Sequence, residues 1–147
     1  MNSNSRHVLV AEDDETDRFL IDRANKKAGE PLALAFASNG QEAIDQLEGL
    51  RSKPHLHPKI ILLDLRMPRK DGLVTLEWIR AQPEFKTVPA IIFSSSSHPQ
   101  DVARAYALGA NAFIVKPGSN DLRAQLIAFL GEWTRFVLPG PLPLEVL

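Results

Sequence analysis

The sequence predicts a doubly wound α/β domain, with a five-stranded parallel sheet and helices on both faces. Short apolar runs rich in β-branched residues alternate along the chain with amphipathic stretches, which is typical of β-α units. Several of these runs are apolar at consecutive positions, as in parallel strands that are covered on both faces. The chain of 147 residues has the length of one domain, so the five units are predicted to share one sheet.

The predicted strands are the apolar runs at residues 7–11, 32–36, 59–63, 89–93 and 112–115. The predicted helices lie at residues 16–28, 40–49, 71–82, 99–108 and 119–137. Gly29, Gly49 and Gly109 come at the ends of three predicted helices, where a left-handed residue is favoured. Pro99 and Asp101 suit the first turn of the fourth helix, because that turn needs no proline N–H and favours negative charge.

Two segments lie outside the β-α pattern. Residues 50–58 form a long connection that contains two prolines and follows the second predicted helix. Residues 138–147 form an apolar, proline-rich C-terminal extension, and residues 1–6 form a polar N-terminal tail. The predicted domain therefore spans residues 7–137.

Composition argues against several classes of function. The 17 Lys and Arg residues against 18 Asp and Glu residues give a net charge of −1, which argues against a general electrostatic grip on nucleic acid or anionic lipid. The lack of cysteine excludes disulfides, thiolate zinc sites and cysteine nucleophiles. No apolar run approaches the ~18 residues of a membrane span. We therefore expect a cytoplasmic protein that binds neither nucleic acid nor membrane.

Polar or charged side chains that can take part in catalysis or binding follow four of the predicted strands. The acid pair Glu12–Asp13 follows the first strand, Asp64 the third, Ser94 the fourth and Lys116 the fifth. In open parallel sheets the carboxyl ends of the strands share one edge, and ligands bind there. We expect these side chains to converge at that edge.

The chemistry that such a set permits is narrow. Two carboxylates ~5 Å apart repel each other by about 3 kcal/mol at an effective dielectric constant of 20. A hard divalent cation relieves the repulsion, and an all-oxygen site suits Mg²⁺ better than Zn²⁺. One carboxylate can then act as a nucleophile toward phosphorus, while a lysine and a serine hydroxyl bind the phosphoryl group. The predicted product is an aspartyl phosphate.

This pattern resembles the response-regulator receiver domain of two-component signalling. The resemblance rests on Glu12–Asp13, the segment Asp64-Leu-Arg-Met-Pro-Arg-Lys-Asp-Gly72, Ser94–Ser95 and Lys116–Pro117, in that order across residues 7–131. It implies the flavodoxin-like receiver fold, with the strand order 2-1-3-4-5.

The resemblance implies a role for each residue of the site. Asp64 is the implied phosphoacceptor, and a sensor histidine kinase is the implied donor. The implied Mg²⁺ ligands are Asp13, Asp64, the backbone carbonyl of Arg66 and, through water, Glu12. Lys116 is implied to pair with the carboxylate before phosphorylation and with the phosphoryl group after it.

The resemblance also implies a switch. Ser94 matches the hydroxyl that moves toward the phosphoryl group, and Phe113 matches the aromatic residue that turns inward in response. The family also carries a cis peptide bond at the position of Lys116–Pro117. The two additional segments, 50–58 and 138–147, resemble those of single-domain regulators that partner bacterial phytochromes, which implies a bacteriophytochrome as the kinase.

Two other classes of function remain as alternatives. A Mg²⁺-dependent phosphohydrolase with an aspartate nucleophile needs an acid two residues after that aspartate. The sequence has Arg66 there, which cannot serve as an acid. A phosphorylation-independent interaction module usually lacks the acceptor aspartate or the lysine, and this sequence has both Asp64 and Lys116.

The last predicted helix carries more apolar residues than packing against its own sheet requires. Its apolar positions wrap around the helix and continue into the extension. We predict a homodimer through this helix and the extension, because a soluble monomer rarely exposes so large an apolar surface. The predicted interface residues are Phe129, Trp133, Phe136, Leu138 and Leu142.

Overall fold

Five strands and five α-helices alternate along residues 7–137, the part of the chain that the computed structural model describes. The strands are β1 (His7–Ala11), β2 (Ala33–Ala37), β3 (Ile60–Asp64), β4 (Ala90–Ser94) and β5 (Ala112–Val115). The helices are α1 (Glu15–Lys27), α2 (Gly40–Leu50), α3 (Gly72–Ala81), α4 (Pro99–Ala107) and α5 (Asn120–Phe136). A short 3₁₀ helix, Pro54–Leu56, lies in the connection before β3.

The strands form one parallel sheet in the order β2-β1-β3-β4-β5, which confirms the predicted fold and strand order. β3 and β4 each end one residue later than predicted, at Asp64 and Ser94. Asp64 pairs in register with Phe93, and Ser94 with Val115. The sheet itself therefore fixes the backbone of two predicted site residues.

Apolar side chains form a core on each face of the sheet. Helices α2, α3 and α4 cover one face, where Leu9 and Ile61 are buried. Helices α1 and α5 cover the other face, where Val8 and Ile60 are buried. Strands β3 and β4 are buried along their whole length, as the runs of consecutive apolar residues predict, whereas exposure alternates along the edge strand β2.

The helix ends correct one sequence prediction. Gly29 and Gly109 have positive φ angles of +86° and +105°, as predicted for residues that end helices. Gly49 lies inside α2 and has no positive φ, because the helix continues to Leu50 and the Arg51 N–H donates to the Glu48 carbonyl. The implied cis bond at Lys116–Pro117 is also wrong, since residues 7–137 contain no cis peptide.

The connection after α2 packs against the end of α3. The His57 ring lies 4.7 Å from the ring of Phe85, and His57 Nε2 lies 2.8 Å from the Leu50 carbonyl oxygen. The Arg51 guanidinium lies 5.7 Å from the rings of both Phe85 and Trp78. These contacts order the connection at the end of the sheet opposite to Asp64. Among the helices in the described part of the chain, none is long and apolar enough to cross a membrane.

Candidate functional site

The predicted site residues meet at the carboxyl edge of the sheet. Glu12 follows β1, Asp64 and Ser94 are the last residues of β3 and β4, and Lys116 follows β5. The Lys116 backbone N–H donates to the Ser94 carbonyl at 2.8 Å, which extends the β4–β5 ladder to the lysine. The sheet thereby brings together residues that lie far apart in sequence.

Lys116 lies at the centre of an acidic cluster. Its ammonium nitrogen is 2.7 Å from Glu12 Oε1, 2.9 Å from Asp17 Oδ2 and 3.2 Å from Asp64 Oδ2. Burial by itself lowers the pKa of Lys116, but its close contacts with Glu12 and Asp17 and the charge of Asp64 outweigh that effect and raise the pKa. The lysine is therefore charged and shared among three carboxylates.

Glu12 is the most deeply buried acid of the cluster, with no exposed surface. Its Oε2 accepts a hydrogen bond from the Asp14 N–H at 3.0 Å. Its Oε1 is close to the lysine nitrogen, although the approach is poorly directed for a hydrogen bond. Burial and the neighbouring Asp64 raise the pKa of Glu12 from its ordinary 4.5 to about 8, and the lysine only partly offsets them. The cluster thus has more carboxylates than its one lysine neutralises.

A divalent cation fits this set of donors. Glu12, Asp13 and Asp64 each offer a carboxylate oxygen, and these oxygens lie within 4.8 Å of one another. Asp13 is exposed whereas the other two acids are buried, so a cation could keep water ligands on the Asp13 side. Hard oxygen donors of this kind match Mg²⁺. The acidic residues that the sequence singles out are therefore suitably placed to hold the ion.

Comparison with known proteins establishes the family. The profile of the response regulator receiver domain matches residues 8–127, which is most of the chain. The chain belongs to the response regulator receiver family. It is therefore a receiver of two-component signalling, a process in which phosphorylation occurs on an aspartate.

Individual relatives are similar to this chain over most of their length. Response regulator Rcp1 of Synechocystis is 30% identical over 112 residues, which cover 74% of this chain and 75% of Rcp1. The crystal structure of the Mn²⁺-bound form of Rcp1 has a TM-score of 0.77 at 26% identity, covering 92% of this chain and 99% of Rcp1. The phosphorylated cyanobacterial phytochrome response regulator RcpA also has a TM-score of 0.77, at 27% identity and with 94% and 98% coverage. RPA3017, a response regulator in red light signaling of R. palustris, has a TM-score of 0.75 at 29% identity, with 93% and 97% coverage.

The loop after β3 holds the receiver's Asp64 in place through a close backbone contact. The Gly72 N–H donates to the Leu65 carbonyl at 3.0 Å, and a Cβ on Gly72 would lie 2.3 Å from the Asp64 carbonyl oxygen. Only glycine allows α3 to begin this close to the end of β3. Asp71 caps the same helix by accepting from the Val74 N–H at 2.9 Å.

Ser94 and Phe113, the predicted switch residues of the receiver, lie on neighbouring strands. Ser94 is buried, and its hydroxyl oxygen accepts from the Ser96 N–H at 3.1 Å. The Phe113 ring is half-buried against the core beneath α3 and α4. The Phe113 backbone N–H donates to the Tyr106 hydroxyl oxygen at 3.2 Å, which ties α4 to the edge strand β5.

Three residues near the receiver site were not predicted from the sequence. Asp17 binds Lys116 from the first turn of α1, and a signal existed, because it lies three residues after the helix cap Asp14. Asp101 on α4 pairs with the Arg66 side chain at 3.0 Å, so the exposed guanidinium links the loop after β3 to α4. Tyr106, described above, gives no signal in the sequence, because exposed tyrosines are common on helices.

Proposed function

We propose that the chain is a single-domain response regulator in which Asp64 accepts a phosphoryl group from a sensor histidine kinase. The observation that carries the proposal is the position of the Asp64 carboxylate, which lies 3.2 Å from Lys116 and within the Glu12–Asp13 cluster. Glu12 has the same partners but no exposed surface, whereas the Asp64 side chain is 9% exposed and can therefore meet an incoming phosphoryl donor.

Each residue of the cluster has a part in the proposed transfer. An Asp64 carboxylate oxygen forms a bond to phosphorus while the bond from phosphorus to the donor nitrogen breaks. Asp13, Asp64, the Arg66 carbonyl and, through water, Glu12 would hold Mg²⁺, which would supply positive charge to the phosphoryl oxygens. Lys116 supplies a second, charge-assisted contact, and the Ser94 hydroxyl donates a neutral hydrogen bond.

The kinase that we propose is a bacteriophytochrome. This rests on the similarity to RcpA, a cyanobacterial phytochrome response regulator, and to RPA3017, a regulator in red light signaling. A chain that receives its phosphoryl group from the kinase domain of such a sensor must share the compartment of that domain, so we propose that this chain is cytoplasmic. Phosphorylation of the purified chain by a phytochrome kinase, with a rate that depends on illumination, tests the assignment, and equal rates in the dark and under red light contradict it.

The acceptor itself is tested with a matched pair of variants. Asp64→Asn removes the nucleophile, whereas Asp71→Asn removes a nearby carboxylate but keeps a side chain that caps α3. With acetyl phosphate and Mg²⁺, intact mass should show one phosphoryl group on the wild type and on Asp71→Asn, and none on Asp64→Asn. Full labelling of Asp64→Asn would assign the acceptor elsewhere.

The same experiment separates this function from a phosphohydrolase. Arg66, two residues after Asp64, carries an exposed guanidinium that pairs with Asp101 and provides no acid for a leaving group. We expect a single stoichiometric uptake from acetyl phosphate and no sustained turnover of p-nitrophenyl phosphate. Sustained turnover that is lost in Asp64→Asn would favour the hydrolase.

Phosphorylation is proposed to act through Ser94 and Phe113. A phosphoryl dianion on Asp64 is a stronger acceptor for the Ser94 hydroxyl than a neutral group. Movement of that hydroxyl frees space for the half-buried Phe113 ring, and Phe113 also carries the backbone N–H that binds Tyr106 on α4. The signal would therefore change the face formed by α4, β5 and α5.

The chain is further proposed to form a homodimer through α5. Phe129 and Phe136 are 51% and 68% exposed, and Trp133 packs partly against the core while its ring lies 6.2 Å from that of Phe129. An apolar surface of this kind favours self-association. Leu138 and Leu142, which complete the predicted interface, lie outside the described residues.

A further inference from the structure

An apolar pocket lies at the end of the sheet opposite to Asp64. It has a volume of about 160 Å³, which is comparable with the ~150 Å³ of cavities that admit a benzene-sized group. It opens beside the edge strand β2, between the end of α2 and the connection before β3. Its principal lining residues are Ala33, Ala35, Gln46, Leu50, Leu56 and Pro58.

The pocket results from small side chains on an edge strand. Ala33 and Ala35 point toward the face that α2 covers and are both exposed, whereas Leu34 and Phe36 pack on the opposite core. Among the described residues, β2 pairs with β1 alone, so its outer edge is open. Exposed apolar edge strands are rarely left uncovered, because they offer unpaired backbone groups to other chains.

The C-terminal extension begins at the same end of the sheet as this pocket. The Lys59 ammonium donates to the Thr134 carbonyl at 2.8 Å and to the Val137 carbonyl at 3.3 Å, which fixes the end of α5. The Lys59 backbone N–H donates to the His7 carbonyl at 2.8 Å. His7 and Pro58, the residue before this lysine, both line the pocket.

We propose that residues 144–147 of the extension, which lie outside the described residues, dock in this pocket of their own chain. Leu144 is the seventh residue after Val137, and in an extended proline-rich conformation seven residues reach ~22 Å at ~3.1 Å per residue. Leu144 and Val146 are two residues apart, which is the spacing of Ala33 and Ala35 along one face of β2. Two aliphatic side chains can therefore occupy the space that the alanines leave.

Charge favours the same occupant. The segment 51–59 on one side of the pocket contains three cations and no acid. Arg51 pairs with Glu48 and Glu84, and the Lys59 ammonium binds the end of α5, so Lys53 is the cation that remains for an acid of the extension. Glu145 is the one charged residue of the extension, and it lies between the two residues that dock. Docking of Leu144 and Val146 places this acid on the outer side of the segment, beside the basic connection.

The tether makes the chain's own extension the favoured ligand. A link of only six residues, 138–143, gives an effective concentration in the millimolar range, well above that of a second copy in solution. The inference is independent of phosphorylation, because the pocket and Asp64 lie at opposite ends of the sheet. It also leaves the exposed face of α5 free for pairing between copies.

Disulfide trapping tests the docking, since the natural chain contains no cysteine. In the full chain, Ala35→Cys with Val146→Cys should oxidise in dilute solution to an intrachain disulfide. The control, Ala103→Cys with Val146→Cys, places the first thiol on the exposed side of α4 and should stay reduced under the same conditions. Failure of the first pair to oxidise faster than the control overturns the proposal, and so does a disulfide that joins two chains.

A second measurement does not depend on introduced cysteines. Hydrogen exchange of the β2 amides should rise several-fold in the double variant Leu144→Asp and Val146→Asp, because a docked segment protects the strand that it covers. The control variant Leu138→Asp, at the start of the extension, should exchange like the wild type. Equal exchange of β2 in the wild type and the double variant contradicts the docking, whatever the result for phosphorylation of Asp64.

Discussion

Lys116 lies nearer to Asp17 than to Asp64, with its ammonium nitrogen 2.9 Å from one carboxylate oxygen and 3.2 Å from the other. Asp17 is one-third exposed and belongs to the first turn of α1. In the proposed transfer, the phosphoryl group on Asp64 therefore competes with Asp17 for the lysine. We infer that Asp17 positions the Lys116 ammonium before phosphorylation.

Replacement of Asp17 should therefore accelerate phosphorylation. In Asp17→Asn the lysine keeps Glu12 and Asp64 as partners, and the site repels an anionic donor less. Since Asp17 is partly exposed, we expect about a two- to five-fold increase in the rate with acetyl phosphate at saturating Mg²⁺. Asp22→Asn, which breaks a pair with Lys26 further along the same helix, is the control and should leave the rate unchanged. A rate below that of the wild type would contradict the role assigned to Asp17.

The metal site predicts a contrast between two adjacent acids. Asp13 belongs to the carboxylate cluster, whereas Asp14 caps α1 by accepting from the Asp17 N–H at 2.9 Å. Asp13→Asn should weaken Mg²⁺ binding by about ten-fold or more, as expected for a lost charged ligand. Asp14→Asn should bind Mg²⁺ like the wild type, because asparagine is an equally good cap. Calorimetric titration measures both, and equal weakening in the two variants would argue against the assignment.

The buried Glu12 predicts how stability depends on pH. Its pKa is raised from 4.5 to about 8 in the folded chain, so the folded state binds a proton more tightly than the unfolded state. The resulting stability is fully present below about pH 4.5 and is lost as the pH rises toward 8. Without Mg²⁺ the melting temperature should fall across this range, and Glu12→Gln should flatten the fall. The exposed Glu15→Gln is the control, and a wild-type slope equal to that of Glu12→Gln would contradict the prediction.

Mg²⁺ should reverse the trend that Glu12 causes. The cation binds the ionised carboxylates, so the stabilisation that it gives should grow from pH 5 to pH 8. Thermal melts at fixed Mg²⁺ concentration measure this difference. A stabilisation that is constant over the range would mean that Glu12 is not linked to the metal.

Ser94 should be necessary for switching but not for phosphorylation. Ser94→Ala should still bind beryllofluoride at Asp64, yet the signals of Phe113 and Tyr106 should shift much less in NMR spectra than in the wild type. The adjacent Ser95→Ala is the matched control, because that side chain is exposed. Full shifts in Ser94→Ala would remove the hydroxyl from the switching pathway.

The α5 face predicts the effect of charge on self-association. Phe129→Glu with Phe136→Glu should shift the chain from dimer to monomer at tens of micromolar, since charged residues are disfavoured at the core of an interface. Phe19→Glu on α1 is the control, because that ring is 60% exposed and lies outside the predicted interface. Light scattering measures the mass of each, and a wild type that is monomeric with and without phosphorylation would overturn the dimer.

Much of the fold and of the candidate site followed from local patterns. Consecutive apolar residues predict strands such as β3 and β4 that are buried on both faces. Successive residues of a strand point to opposite faces, so both sets must be apolar when both faces are covered. The polar residues that end those strands, Asp64 among them, share one edge because parallel strands all point the same way. Where the pattern was ambiguous, as at Gly49, the helix continued, since glycine permits a left-handed turn without requiring it.

The sequence by itself determined the parallel sheet and the convergence of Glu12, Asp64 and Lys116. The apolar pattern of each strand is local, and the carboxyl ends of parallel strands lie at the same edge of the sheet. Only the tertiary structure decided that Asp17 shares the lysine and that Tyr106 ties α4 to β5. Those contacts depend on the rotation of each helix about its axis, and packing across the whole core sets that rotation. Lys116 and Asp17, 99 positions apart in sequence, can therefore lie 2.9 Å apart although no local pattern predicts the contact.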